Sequence, residues 1–183
     1  MSASYGFGSF VTILFSAIED DIRNNNYDPN FSVTTSSVGP LSLKYENAIT
    51  NNIGLGFSFN YLQNGMKFRQ ADYSTSTPVI SNYDLTRSTI SFLVRMNVHF
   101  IEHEKVDPYF GLGLGYRSAW WDTKVTSSDP TYVAKDYTDG GISFPIGFES
   151  VFGARYYLSP GFGLFTEVGI AKAVLQFGIT GKF

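Results

Sequence analysis

Cysteine is absent from the chain, which excludes disulfides, thiolate metal sites and cysteine nucleophiles but does not fix the compartment. Long apolar runs are absent too. Although 43% of the residues are hydrophobic, nowhere do about 18 apolar residues follow one another, the length that marks a membrane-spanning helix. Any crossing of a membrane must therefore be made by strands. Charge is sparse, at 16% of residues with a net value of −3, and the basic patch or stripe of a nucleic-acid binder is missing. Histidine occurs only as His99 and His103. No basic segment follows Met1. The apolar stretch from Phe10 to Ile18 comes after Gly6, Gly8 and Ser9 and before the acidic Glu19-Asp20-Asp21, so it is expected to be a strand of a mature chain, any signal peptide having been removed.

What is abundant points to strands: aromatics make up 17% of the chain and there are 18 glycines, a balance that disfavours helical and disordered classes. At 183 residues the simplest organisation is one domain over 1–183. Period-two alternation recurs along it. Tyr5 to Ile18 alternates only in part, with Phe10 and Leu14 off the parity of Val11, Ile13 and Phe15. A polar stretch to about Ser37 reads as a long loop. Leu41, Leu43 and Tyr45 then oppose Ser42, Lys44 and Glu46. After a turn at Thr50-Asn51-Asn52, Ile53, Leu55, Phe57, Phe59 and Tyr61 oppose Gly54, Gly56, Ser58 and Asn60. Gln63 to about Arg87 reads as a second long loop. The clearest strand sets Ile90, Phe92, Val94, Met96, Val98 and Phe100 against Ser91, Arg95, Asn97 and His99. Beyond Glu102-His103-Glu104-Lys105, Phe110, Leu112, Leu114 and Tyr116 alternate with Gly111, Gly113, Gly115 and Arg117. A third long loop runs from Asp122 to Gly140. Three further strands follow, around Ile146–Tyr156, Gly163–Ile170 and Val174–Phe183.

The reading is therefore all-β, with eight strands in an up-and-down antiparallel meander. Its connections alternate long and short, which gathers three long loops at one end and the short turns and both termini at the other. Transmembrane barrels have this layout. Volume decides which face looks out. An eight-stranded barrel is just wide enough inside for side chains to fill it, and four to six large apolar residues from every strand would not fit. The apolar face must point outward. The glycines on the other face leave room for Lys44, Glu46, Arg95, Arg117, Glu149, Arg155 and Glu167 to cross the lumen as a nearly balanced charge network. A soluble β-sandwich is the rival, but it explains neither the glycine-lined face nor the loop asymmetry. Tyr109, Tyr156 and Tyr157 near short turns, and Trp120 with Trp121 near a long loop, stand where membrane barrels carry interfacial aromatics.

Three segments carry a family resemblance: Pro108-Tyr109-Phe110-Gly111-Leu112-Gly113-Leu114-Gly115-Tyr116, Gly153-Ala154-Arg155-Tyr156-Tyr157-Leu158-Ser159-Pro160, and Phe165-Thr166-Glu167-Val168-Gly169 through Phe183. With them the chain resembles the small eight-stranded bacterial outer-membrane β-barrels, the group that includes the OmpA transmembrane domain, OmpX and the OmpW-like proteins. Gly181 departs from the pattern, since such barrels often have an aromatic two residues before the end. No cell-wall-binding domain follows the barrel pattern, so an OmpA-type tether is not implied. The resemblance implies the bacterial outer membrane, with long loops extracellular and both termini periplasmic. It also implies contact with outer-membrane lipid and lipopolysaccharide, and a terminal Phe183 read as an assembly signal by the barrel assembly machinery.

For the sites, the inward charges are expected to plug the lumen, with a narrow channel for small solutes as the alternative. Some small outer-membrane barrels are lipid A-modifying enzymes, one type with a His and a Ser two residues apart. Here Ile101 follows His99 at that spacing and His103 lies in a charged turn, so no enzyme, catalytic residue, cofactor or metal is expected. Lys67, Arg69 and Arg87 suggest a clamp for lipopolysaccharide phosphate. The function expected is a structural or interaction component that meets protein or surface partners through its loops or barrel wall.

Overall fold

The computed structural model describes residues 1–7, 9–25, 31–74, 77–101, 105–129, 131–139, 145–170 and 173–182. Along them run β1 (Ser2–Phe7), α1 (Phe10–Asn25), β2 (Ser32–Ala48), β3 (Ile53–Asp72), β4 (Val79–His99), β5 (Val106–Ser127), β6 (Lys135–Asp139), β7 (Ile146–Ser159), β8 (Phe162–Ile170) and β9 (Leu175–Gly181). β1 pairs with β2 on one side and β9 on the other, while β5 joins β4 to β7. Strands β1 to β5 and β7 to β9 thus close an eight-stranded antiparallel up-and-down barrel. β6 stands outside the ring and, among the described residues, pairs with the far end of β5 alone, from Val125↔Lys135 to Trp121↔Asp139.

Burial is inverted relative to a soluble core. Leu93, Arg95, Glu149 and Glu167 are 0 to 3% exposed inside the ring, whereas Leu114 and Phe152 are 61% and 65% exposed outside it. The outer face is apolar from β1 round to β9, and no charged residue shares the outward parity of Ile53 to Tyr61, of Val98 to Ile90 or of Phe110 to Tyr116. Aromatic rings tie this face across strands: Tyr45 stacks on Phe57 at 5.3 Å and Phe57 on Phe92 at 5.7 Å, the closeness that neighbouring strands permit.

The wall is uneven in height. β3 and β4 pair without a break from Ile53↔Val98 to Asp72↔Val79, and β4 and β5 from His99↔Tyr109 to Ser81↔Ser127, so much of what the sequence suggested as second and third loops is strand. The alternation fades there because polar groups occupy the outer face too, as in the Lys67–Asp84 ion pair at 3.0 Å. On the opposite side β8, β9 and β1 are short. β2 changes register between Val38 and Leu41, around a cis Gly39-Pro40 bond. Gly39 has φ +88°, and a Cβ there would lie 2.7 Å from Leu41 N and 2.8 Å from Tyr61 O, so only glycine fits.

The first strand differs most from the sequence expectation. It ends at Phe7, and residues 10 to 25 form α1. Ser9 caps this helix: its Oγ accepts the Thr12 N–H at 3.0 Å and its carbonyl the Ile13 N–H at 2.9 Å. Glu19 and Arg23 pair one turn apart at 2.7 Å. The helix lies across the inner side of the tall wall. Thr12 Oγ1 donates to Asn64 Oδ1 at 2.7 Å, Glu19 accepts the Thr35 N–H at 3.0 Å and its hydroxyl at 2.6 Å, and Arg23 donates to Val33 O at 3.1 Å. The Thr35 hydroxyl, by this bond, holds the Glu19 carboxyl below its ordinary pKa. Across the mouth, the Phe15 ring lies 6.3 Å from that of Trp121.

Candidate functional site

Inward parity on adjacent strands brings charged side chains into two layers of the lumen. Nearer the termini, Arg155 of β7 pairs with Glu46 of β2 and, at 3.2 Å, with Asp107 of β5. His99 of β4 sits between the same carboxylates, with Nε2 2.7 Å from Glu46 and Nδ1 against Asp107. A carboxylate accepts only, so the ring donates to both when both nitrogens carry protons. The layer then holds two positive and two negative groups. It floors an open cavity of about 570 Å³ at the short-turn end, which Met1, Asn51, Tyr157 and Lys182 also line.

The deeper layer is organised by Arg95. Its Nη1 donates to Glu149 at 2.8 Å, its Nη2 to Glu167 at 2.6 Å and its Nε to Asn97 at 2.8 Å. Lys44 pairs with Glu167 and donates to Gln176 Oε1 at 3.0 Å. The Tyr109 hydroxyl donates to Glu167 at 2.6 Å. Its ring lies 5.8 Å from the Arg95 guanidinium and 4.6 Å from that of Arg155, so it links the layers by cation–π contact. Two cations face two anions, each hydrogen-bonded, which is the condition for burying charge. Beside them remains a void of about 10 Å³, room for about one water.

Six of the seven charges expected in the lumen, namely Lys44, Glu46, Arg95, Glu149, Arg155 and Glu167, meet in these layers. Arg117 does not. It lines a separate cavity of about 40 Å³ with Asn60, Thr89 and Ser91. Asp107 and Tyr109 were missed as members, although both share the inward parity of Gly111 and Gly113, which was the available signal.

That parity also corrects the interfacial aromatics. Tyr109, 1% exposed, is a lumen residue. Trp121 faces inward against Phe15, with the Arg87 guanidinium 5.6 Å from its ring. Tyr157 lines the open cavity under Lys182. Closeness to a turn had suggested the rim for all three, but alternation from Arg155 and Arg117 turns them inside. Tyr156 is half exposed on the outer face, and Trp120 has the outward parity of Leu114 and Tyr116. Lys67 and Arg69 point outward while Arg87 points into the lumen, so the suggested clamp does not assemble. Phe183 and Glu102-His103-Glu104 lie outside the described residues. Among the described residues no group of His, Asp and Glu side chains converges to hold a metal.

Gly153 makes room for the Tyr109 ring: a Cβ there would sit 2.6 Å from the Tyr109 hydroxyl. Gly153→Ala is expected to swing Tyr109 off Glu167 and cost about 1–3 kcal/mol, read as a lower urea midpoint of the folded barrel. An unchanged midpoint would show that the ring has slack.

No family model matches the chain, and no curated protein matches it in sequence. Among solved structures it is similar to Ail, the attachment invasion locus protein of Yersinia pestis, at 13% identity and a TM-score of 0.37, over 100% of this chain and 97% of that one.

Proposed function

We propose that the chain is an integral outer-membrane barrel with a closed lumen, acting as a structural or interaction component. The observation that carries this is the inversion of burial, with Arg95 and Glu167 at 3% and 2% exposure inside and Leu114 and Phe152 at 61% and 65% outside. In water that arrangement exposes the apolar surface and buries the charge; in lipid both are satisfied. On β3 the apolar parity runs through the nine residues from Ile53 to Tyr61, against the roughly 9–11 that a tilted strand needs to cross. The tall wall of β2 to β6, with α1 at its mouth, stands on the extracellular side, and the short turns and both termini on the periplasmic side. Outward polar groups on that wall, Lys67 with Asp84 and Asp122 with Thr138, offer a surface for a protein partner or for lipopolysaccharide.

The two charge layers argue for a plug. Purified protein in planar bilayers is expected to show no reproducible discrete openings. Arg155→Ala is expected to lower the unfolding temperature with little change in conductance, because the Arg95 layer remains behind it; a large conductance gain would favour a channel. In detergent gels, folded and boiled forms should migrate differently. Overexpression is expected to leave lipid A mass spectra unchanged; an altered lipid A mass would favour a lipid A-modifying enzyme.

A further inference from the structure

Above the Arg95 layer the lumen changes character. Leu93, fully buried, packs over glycines of β5 and β7: the closest approach of its side chain to a Cβ built at Gly147 would be 2.6 Å, and to one at Gly113 3.3 Å. Beyond it lies the cavity of about 40 Å³ lined by the polar Arg117, Asn60, Thr89 and Ser91 and by Pro40, Leu62, Gly147 and Phe148. Arg87 stands one inward position past Thr89 on β4, and its guanidinium feels the charge of Arg117. Among the described residues neither arginine has an acidic partner, although Lys44, Arg95 and Arg155 each have one.

Three polar atoms here are buried without a hydrogen-bond partner: Arg87 Nη1, Thr89 Oγ1 and Asn64 Nδ2. Asn64 is fully buried and Thr89 7% exposed. Thr12 occupies Asn64 Oδ1, so the amide of Asn64 is left with N–H to offer. Thr12 belongs to the first turn of α1, whose positive end therefore faces this part of the lumen. An unpaired buried donor is destabilising, and two half-buried cations set close together repel. Water can satisfy the hydrogen bonds but not the charge.

We propose that this chamber is a binding site for a small inorganic anion, a halide or a single tetrahedral oxyanion, held by Arg117 with Thr89 as hydrogen-bond donor, while Arg87 and Asn64, next along the lumen, add positive charge and a further donor outside its lining. The size fits: a water needs roughly 10–15 Å³ by this measure, so the cavity admits an ion equal to about three waters and no organic phosphate. The site rests on the barrel geometry and not on the membrane reading or on the plug.

The test follows thermal unfolding of the folded barrel in detergent at constant ionic strength, with chloride, phosphate or sulfate replacing gluconate, which is too large to enter. The midpoint is expected to rise saturably with at least one small anion, as binding to the native state requires; which ion does so identifies halide or oxyanion. Arg117→Gln is expected to abolish the rise, or weaken the apparent affinity at least tenfold, and to raise the midpoint in gluconate by removing the repulsion. Equal midpoints in all four salts, or the same saturable rise in Arg117→Gln, would overturn the proposal. If Arg117→Gln does not fold, crystals of the unaltered protein soaked in bromide and in selenate decide: an anomalous peak between Arg117 and Thr89 with either ion supports the site, and its absence with both at saturation refutes it.

Discussion

Arg95→Ala is expected to cost about 3–5 kcal/mol of barrel stability, the range for removing one partner of a buried ion pair. Arg95 bridges Glu149 at 2.8 Å and Glu167 at 2.6 Å, and both carboxylates are almost fully buried. Without it, two anions face the single cation Lys44 and one carboxylate lacks its counter-charge. Arg95→Lys keeps the charge but cannot fork to two carboxylates while holding Asn97, so an intermediate loss is expected. Arg95→Met combined with Glu149→Gln removes charge from both sides and is expected to recover most of the stability, because the cost lies in unpaired charge and not in the missing bridge. Urea titration in detergent, followed by tryptophan emission, measures all three. A loss below about 1 kcal/mol for Arg95→Ala, the value of an exposed pair, would mean that water reaches this layer and the lumen is not closed there.

Leu114→Arg is expected to cost about 2–4 kcal/mol in a lipid bilayer, the penalty for a cation at the midplane of a barrel's lipid face. Leu114 is 61% exposed in the middle of the outward face of β5. Thr126→Arg keeps the strand and the outward parity but lies on the tall wall beyond the apolar belt, where about 0–1 kcal/mol is expected. The contrast between the two, by urea titration after folding into liposomes, is the measurement. A water-soluble barrel predicts the opposite order of benefit, since an exposed leucine exchanged for arginine then improves solubility. Equal stability of the two variants in liposomes would remove the membrane assignment while leaving the closed barrel intact.

Much of this was legible before the fold was known. From Leu41 to Gly181 the period-two pattern placed the barrel strands, because a barrel wall with one apolar outer face and one packed polar inner face imposes a different residue type on each parity. The same rule places Asp107, Tyr109, Trp121 and Tyr157 inward, and for these residues parity was the better guide than closeness to a turn. The helix was the opposite case. Val11, Ile13 and Phe15 alternate like a strand, yet Phe10, Leu14 and Ile18 recur every four residues behind Ser9, a helical spacing with its cap. A short apolar segment satisfies both periods, and the local sequence does not choose between them. Polar strand extensions such as Gln63 to Asp72 were equally hidden, because alternation records a difference between faces and vanishes where both are polar.

The sequence by itself determined that strands form, that they are eight in the ring, and which face of each carries charge, since these follow from residue type and spacing along one strand at a time. Only the tertiary structure decided which charges meet. Lys44 reaches Glu167 across 123 positions of chain, Arg155 reaches Glu46 across 109, and Arg117, of the same inward parity, reaches neither group. Ion pairing in a lumen depends on the relative height of residues on different strands. The inter-strand registers, including the shift at Val38 to Leu41, set that height, and no local pattern encodes it.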